Sequence, residues 1–225
     1  EGLKNFKVST SVTDEFMRNV VNDRDYWLKS SQGKKVRKVN AREVFDYLST
    51  LAWESGDPGL LFMDQINRKH SLKSLGRIEA TNPCGEANLL NNEACCLGSV
   101  NLANMVKNQH VDWVRLDKVV RTGVRFLDNV ISVNKYPDNE VRKISLANRK
   151  VGLGVMGWAD MLIELGISYD SDQAVQLAKE VMKFVKKGAE NESEKLAKEK
   201  GEFPNFSKSS IRNKRRNATL LSIAP

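Results

Sequence analysis

The sequence contains few of the residues that build disulfide frameworks or metal sites. Its 225 residues include three cysteines (Cys84, Cys95 and Cys96) and two histidines (His70 and His110). An odd number of cysteines without a Cys-x-x-Cys spacing argues against a disulfide-stabilised domain and gives little support to a zinc site. Two roles remain for the thiols: redox or radical chemistry, or inert packing in a core.

Long apolar runs are also missing. No stretch approaches the roughly 18 apolar residues of a membrane span. Residues 1–5 do not place a basic segment before an apolar run, as a signal peptide does. These absences predict a soluble, cytoplasmic protein without a membrane partner. The chain lacks an initiator Met and stops within an apolar stretch at 218–225, so we expect a fragment. We expect it to be a single partial domain over residues 1–225.

Charge is unbalanced towards the basic side, with 36 Lys and Arg against 28 Asp and Glu, a formal net charge of +8. Basic residues cluster at 34–38 and at 212–216, and neither cluster is interleaved with aromatic residues. A solvated surface is the simpler interpretation, because net charge alone says little about specificity. A non-catalytic, basic domain that binds nucleic acid remains the alternative from another functional class.

Helix caps and apolar periodicity predict several amphipathic helices. Thr13 precedes an acidic first turn, as an N-cap does, and Asn40 stands three positions before an acidic residue. Apolar residues recur at helical spacing over 116–131 and again over 174–189, where Asp172 is the predicted cap. Short strands are predicted at 6–9 and 218–224, and a short strand or turn near 97–102. The helical positions of three tryptophans predict core packing for Trp53, Trp113 and Trp158.

The densest group of chemically capable side chains is Asn82-Pro83-Cys84-Gly85-Glu86. In an extended loop, alternate residues point to the same side, so Asn82, Cys84 and Glu86 could converge on one small ligand. The thiol could act as a nucleophile or hydrogen-atom carrier, the carboxylate as a general base, and the amide as a clamp for a hydroxyl. A turn with a buried, inert cysteine is the competing interpretation.

A glycine pattern, Gly152-x-Gly154-x-x-Gly157, matches the spacing of a dinucleotide-binding turn. That turn needs a preceding apolar strand, and the residues before Gly152 are Asn148-Arg149-Lys150-Val151. We therefore expect the glycines to allow tight helix packing instead of binding a nicotinamide cofactor.

Residues 81–86 and 93–102 together resemble the active-site finger loop of ribonucleotide reductases, which we place at about 81–102. Pro83 and Gly85 are typical of the adenosylcobalamin-dependent class more than of the iron-dependent class. Further blocks resemble the same family in the same order; they lie at 6–17, 129–131, 134–137, 148–157, 196–201, 203–206 and 217–225.

The resemblance implies a role for each matching residue. Cys84 would become the thiyl radical that takes a hydrogen atom from the ribose 3′ carbon, Glu86 would be the base at the 3′ hydroxyl, and Asn82 would hold the substrate hydroxyls. Cys95 would be one of two redox thiols, and Pro225 would lie at the phosphate-binding turn. Such a radical must be shielded from water, which predicts a closed cavity around the loop.

Cys96 departs from the family pattern, which usually has Asn or Thr there. We expect it to be an ordinary core or surface thiol, since a bridge between neighbouring cysteines is strained.

The resemblance also implies an α/β fold: part of a ten-stranded barrel with the finger loop at its centre. The implied activity is reduction of ribonucleoside di- or triphosphates to deoxyribonucleotides for DNA synthesis, with adenosylcobalamin as cofactor and no protein metal site. Electrons would come from a thioredoxin- or glutaredoxin-like partner through a C-terminal cysteine tail that this chain lacks. A homodimer is compatible with the family, and the upstream redox cysteine and effector loops lie outside the chain. We expect the 225 residues alone to be inactive. An iron-dependent large subunit is the second alternative.

Overall fold

The computed structural model describes residues 6–223, which form two compact units. The first unit contains the residues up to His70 together with Arg77–Asn88, and the second contains Ser71–Gly76 and the residues from Leu89 onwards. The single partial domain expected from the sequence stays a prediction. Within residues 6–223, no helix is both long and apolar enough to cross a membrane.

The first unit combines short strands with three helices. Its elements are β1 (Ser9–Val12), α1 (Asp14–Val21), β2 (Asp25–Lys29), β3 (Lys35–Asn40), α2 (Ala41–Ser55), β4 (Gly59–Phe62), α3 (Met63–Lys69) and β5 (Ala80–Thr81). Strands β1 and β4 pair in parallel, with Ser9 opposite Gly59, while β2 and β3 form an antiparallel hairpin. The parallel pair agrees with an α/β fold.

Two predicted caps begin helices in this unit. The Thr13 hydroxyl accepts a hydrogen bond from the amide of Phe16 over 3.1 Å, and the Asn40 side chain accepts one from the amide of Glu43 over 3.0 Å. These bonds satisfy amides that have no partner within the helix. The helices then bury Phe16, Val20 and Ala41 against Val12 in a small core.

The second unit contains the longer helices and the larger core. Its elements are β6 (Asn88–Leu89, at the boundary), β7 (Leu97–Asn101), β8 (Val106–Lys107), β9 (His110–Val111), α4 (Trp113–Val133), α5 (Asn139–Asn148), β10 (Gly152–Met156), α6 (Trp158–Leu165) and α7 (Asp172–Lys200). The apolar faces of α4 and α7 meet in this core, as their periodicity predicts. Ser171, not Asp172, is the N-cap of α7, since its hydroxyl accepts from the amide of Ala174.

Strands β7 and β10 form the second parallel pair, with Leu97 opposite Gly152. A Cβ atom on Gly152 would lie 2.6 Å from Cδ2 of Leu97 and 2.8 Å from Cβ of Ser222, so any larger residue requires these neighbours to shift. Gly157 has φ +68° and is the N-cap of α6. The expectation that these glycines serve helix packing is therefore wrong for Gly152, which lies in a strand and permits close approach of neighbouring chain segments.

A buried ionic centre joins the helices of the second unit. Asp128 on α4 is fully buried and lies 2.7 Å from Arg149, 3.6 Å from Lys200 and 3.5 Å from Arg216. The side-chain Nδ2 of Asn217 also donates to Oδ1 of Asp128, over 3.1 Å. The carboxylate thus connects α4 to the segments that follow α5 and α7.

Some local predictions were wrong. The strand expected at 6–9 is β1, three residues later, and the strand expected at 218–224 is an extended segment with one bridge, from Leu221 to Leu153. Trp113 and Trp158 pack against the core of the second unit, but Trp53 is 85% exposed. Helix α2 buries only Ala41 within the described unit, which leaves Trp53 on an uncovered face.

Candidate active site

A tight turn brings Asn82 and Glu86 together. The amide of Gly85 donates to the carbonyl of Asn82 over 3.0 Å, and Gly85 has φ +86°, a conformation that glycine adopts without strain. The Asn82 side chain donates to Oε1 of Glu86 over 2.6 Å and accepts from the amide of Ala87 over 3.0 Å. Two of the three side chains expected to converge therefore do so, through a turn and not through the extended backbone that the alternation assumed.

Cys84 is a central residue of this turn and is exposed. The competing interpretation of a buried, inert cysteine is therefore wrong. The closed cavity expected around this thiol is not formed by the described part of the chain. Chemically, the turn presents a free thiol with an amide and a carboxylate fixed beside it in the sequence.

Cys95 and Cys96 lie on the segment that leads into β7. Cys95 is exposed, whereas Cys96 is half-buried, and its thiol donates to the carbonyl of Leu127 with a sulfur–oxygen distance of 3.5 Å. Burial, with a smaller contribution from neighbouring Cys95, raises the pKa of Cys96 to about 11. Cys96 is therefore a protonated thiol at neutral pH, and Cys95 is the more accessible of the two.

A cavity of about 330 Å³ opens beside these thiols. Apolar side chains of α4, including Leu127 and Ile131, line one part of it, and Glu93 and Lys150 line another. The sequence analysis did not single out Glu93 or Lys150. Their order in the chain gave no signal, because the two residues are 57 positions apart and meet only through the fold.

Pro225 lies outside the described residues, so its predicted contact with substrate stays a prediction. The segment before it runs beside β10, where the amide of Leu153 donates to the carbonyl of Leu220 over 2.8 Å and the amide of Ser222 donates to the carbonyl of Leu153 over 3.3 Å. Within residues 6–223, no group of three or more His, Cys, Asp and Glu side chains is placed to hold a metal ion.

The two basic clusters differ in their surroundings. Lys35 lies over the ring of Trp27, 5.3 Å from its centroid, on the exposed β2–β3 hairpin. In the second cluster, Arg216 donates to the carbonyls of Lys200 and Gly201 and belongs to the ionic centre around Asp128. The solvated-surface interpretation is therefore wrong for Arg216, and this cluster offers less free charge to a nucleic acid than its sequence indicates.

Comparison with known proteins assigns the family. The sequence matches the family described as "Ribonucleotide reductase, barrel domain" over residues 1–222. It is 47% identical over 99% of its length to a vitamin B12-dependent ribonucleoside-diphosphate reductase of Mycobacterium tuberculosis, of which it covers 33%. It is 44% identical over 99% of its length to the protein of the same name from Thermoplasma acidophilum, of which it covers 30%.

A solved structure is similar as well. The alpha subunit of the class Id ribonucleotide reductase of Actinobacillus ureae matches 97% of this chain and 40% of its own, with a TM-score of 0.76 and 25% sequence identity. The chain spans about a third of the length of the curated relatives that it matches. The fold is accordingly mixed α/β, and the chain belongs to the ribonucleotide reductase family as part of its catalytic barrel domain.

Proposed function

We propose that the protein containing this chain reduces ribonucleotides to deoxyribonucleotides, with Cys84 as the radical-carrying residue. The observation that supports this most directly is the 2.6 Å hydrogen bond from Asn82 to Glu86 across the turn that contains Cys84. At this distance the amide can hydrogen-bond one hydroxyl of a sugar while the carboxylate deprotonates its neighbour. The substrate is then a ribonucleoside diphosphate, as the names of the two B12-dependent relatives indicate.

The proposed reaction balances as a two-electron reduction. The Cys84 thiyl radical takes the hydrogen atom from the 3′ carbon, and Glu86 takes the proton of the 3′ hydroxyl while the 2′ hydroxyl leaves as water. Cys95 and a second thiol give two electrons and two protons and form a disulfide. Cys84 returns the hydrogen atom to the 3′ carbon and Glu86 returns the proton to the 3′ oxygen, so the thiyl radical and the carboxylate are both regenerated at the end of each cycle.

The cofactor we propose is adenosylcobalamin. When bound, it supplies the radical that the protein cannot make from its own side chains. The thiol of Cys84 is exposed, so a radical generated outside the described chain can reach it. The relatives with the highest identity quoted above, 47% and 44%, are both named as vitamin B12-dependent.

Two further features of the proposal concern the parts of the protein beyond this chain. The rest of the polypeptide would close over Cys84 and exclude water during the radical steps. A thioredoxin-like partner would reduce the disulfide that Cys95 forms. Free thiols that cycle in this way persist in a reducing compartment, so we place the protein in the cytoplasm.

The test uses the full-length protein with adenosylcobalamin, a ribonucleoside diphosphate and a dithiol reductant. We expect Cys84→Ser to abolish formation of deoxyribonucleotide, because a hydroxyl does not exchange hydrogen atoms with a sugar C–H bond as a thiol does. Cys96→Ser is the matched control, since its half-buried thiol has no role in the proposed reaction, and it should retain activity. Turnover by the Cys84→Ser protein would overturn the assignment.

The second candidate is an enzyme whose radical comes from a partner subunit. The similar solved structure is named an alpha subunit, which favours this alternative for that protein. Activity without adenosylcobalamin, appearing only when a second subunit is added, would establish it. The nucleic-acid-binding alternative requires affinity for DNA that falls with salt, without nucleotide reduction by the full-length protein.

A further inference from the structure

We infer that Glu93 is a positioning residue for Cys95. The inference rests on the redox role proposed for Cys95 and adds a residue through which the fold holds that thiol in place. Cys95 itself is exposed, so its side chain gains little orientation from core packing. The position of its sulfur must therefore come from its neighbours on the backbone.

Glu93 anchors the chain on the N-terminal side of Cys95. Its side chain is only 2% exposed. One carboxylate oxygen accepts from Asn148 Nδ2 over 2.6 Å, and the other accepts from Lys150 Nζ over 2.5 Å and from the amide of Leu90 over 2.6 Å. Three donors thus converge on two oxygens, an arrangement that only a carboxylate satisfies.

The residues on either side of Cys95 are held as well. The amide of Ala94 donates to the Ser145 hydroxyl over 3.3 Å. The carbonyl of Cys96 accepts from the amide of Gly152 over 2.9 Å, where β10 begins to pair with β7. The backbone is therefore fixed immediately before and after Cys95, and Glu93 makes the strongest of these contacts because it is ionic and buried.

Lys150 requires a negatively charged side chain at position 93. Its side chain is 8% exposed, and it forms the ion pair with Glu93 at the edge of the cavity that Cys95 also lines. Removing only one partner of such a pair leaves a buried charge uncompensated. Replacing Glu93 by glutamine would leave a single acceptor oxygen and set an NH₂ group against a donor. The segment would then shift away from its anchor.

The experiment measures ribonucleotide reduction by the full-length protein in three variants. Glu93→Gln is the test, and Glu140→Gln is its matched control, because Glu140 also accepts from this loop (from Asn92, over 3.1 Å) but on the exposed surface. Glu93→Gln combined with Lys150→Gln removes both charges. This double variant separates the loss of positioning from the cost of an unpaired lysine.

We expect Glu93→Gln to lower kcat by about 10-fold or more while KM for the nucleotide changes less than about twofold, since misplacement of about 1 Å can cost up to 100-fold in rate. We also expect more nucleotide to be consumed per deoxynucleotide formed, because a substrate radical that Cys95 does not reduce in time decomposes. The double variant should recover thermal stability and keep the low kcat. Glu140→Gln should behave as the wild type.

Two results would overturn the inference. In the first, kcat of Glu93→Gln equals that of the Glu140→Gln control while Cys95→Ser is inactive. In the second, the double variant regains kcat together with stability, which would show that Glu93 only supports the fold. Failure of the proposed function would give a different result. Either the wild-type protein would not reduce ribonucleotides, or Cys95→Ser would be as active as the wild type.

Discussion

Nδ2 of Asn82 lies 2.6 Å from Oε1 of Glu86, so an amide and a carboxylate four residues apart share one hydrogen bond. Asn82→Asp replaces the donor by a second carboxylate. Two carboxylates at this distance cannot both ionise freely, so one of them becomes harder to deprotonate. We expect kcat/KM of the full-length reductase to fall by about 100-fold, the usual cost of removing one such donor.

The control for this substitution is Asn92→Asp. Asn92 also donates to a glutamate, Glu140, over 3.1 Å, but both residues are exposed, so the same change should have little effect on activity. An Asn82→Asp variant as active as Asn92→Asp would contradict the role of the Asn82–Glu86 pair.

The three cysteines should differ in their reaction with thiol reagents. Because burial raises the pKa of Cys96 to about 11, only about 0.1% of it is thiolate at pH 8. We expect iodoacetamide to label Cys84 and Cys95 in the isolated 225-residue chain, where both are exposed, and to leave Cys96 unmodified. Mass spectrometry of the digested protein measures the labelling. Equal labelling of Cys95 and Cys96 before unfolding would contradict the burial of Cys96.

The same shift predicts how stability depends on pH. The pKa of Cys96 is about 11 in the folded chain against an ordinary value of 9.0. Above pH 9 the unfolded chain therefore loses this proton more readily than the folded chain. The stabilisation is complete below pH 9 and is lost as the pH rises to about 11. Cys96→Ser should flatten this part of the stability profile, and an unchanged slope between pH 9 and 11 would count against it.

Asp128→Asn should be the most destabilising conservative change in the second unit. The carboxylate is fully buried with Arg149, Arg216 and Lys200 around it, and its replacement removes the negative charge that offsets these cations. The expected cost is about 3–5 kcal/mol. Native-state hydrogen exchange of the amides of α4 in the full-length protein measures it.

A matched control is Asp117→Asn on the same helix. Asp117 pairs with Arg121 over 2.6 Å, but its side chain is 36% exposed. Breaking this pair should cost about 0–1 kcal/mol. Similar exchange rates in the two variants would show that Asp128 is not the centre of the ionic network.

Gly152→Ala should disturb the pairing of β7 and β10. The new methyl group would lie 2.6 Å from Leu97 and 2.8 Å from Ser222, so the neighbouring segments must move apart, at a cost of about 1–3 kcal/mol. Gly98→Ala is the control, since its methyl group would meet Leu127 at an ordinary 3.5 Å. Exchange of the β10 amides distinguishes the two, and equal protection in both variants would contradict the close packing at Gly152.

Local chemistry made some features predictable from sequence. Thr13 and Asn40 begin helices because their side chains satisfy the first free amides, and this depends only on residues three positions away. The turn at Cys84 was harder to foresee. Alternation suggested an extended backbone, whereas Gly85 at φ +86° closes a turn and still brings Asn82 to Glu86.

Features that depend on distant residues were missed. Glu93 and Lys150 have no special spacing, and they meet in the fold just before the paired strands β7 and β10 begin. Trp53 has helical periodicity, but periodicity does not say whether anything in the described unit covers that face. The roles of Asn82, Cys84, Glu86 and Cys95 came from resemblance to a family and stay predictions until the variants are made.

The parallel pairing of β7 with β10 also sets an order of events during synthesis. Leu97 cannot pair with Gly152 until Gly152 has been synthesised, and two helices, α4 and α5, are synthesised between them. Until β10 has left the ribosome, the amide of Gly152 cannot donate its hydrogen bond to the carbonyl of Cys96. A nascent chain that pauses before residue 152 therefore lacks the hydrogen bond that holds the backbone immediately after Cys95.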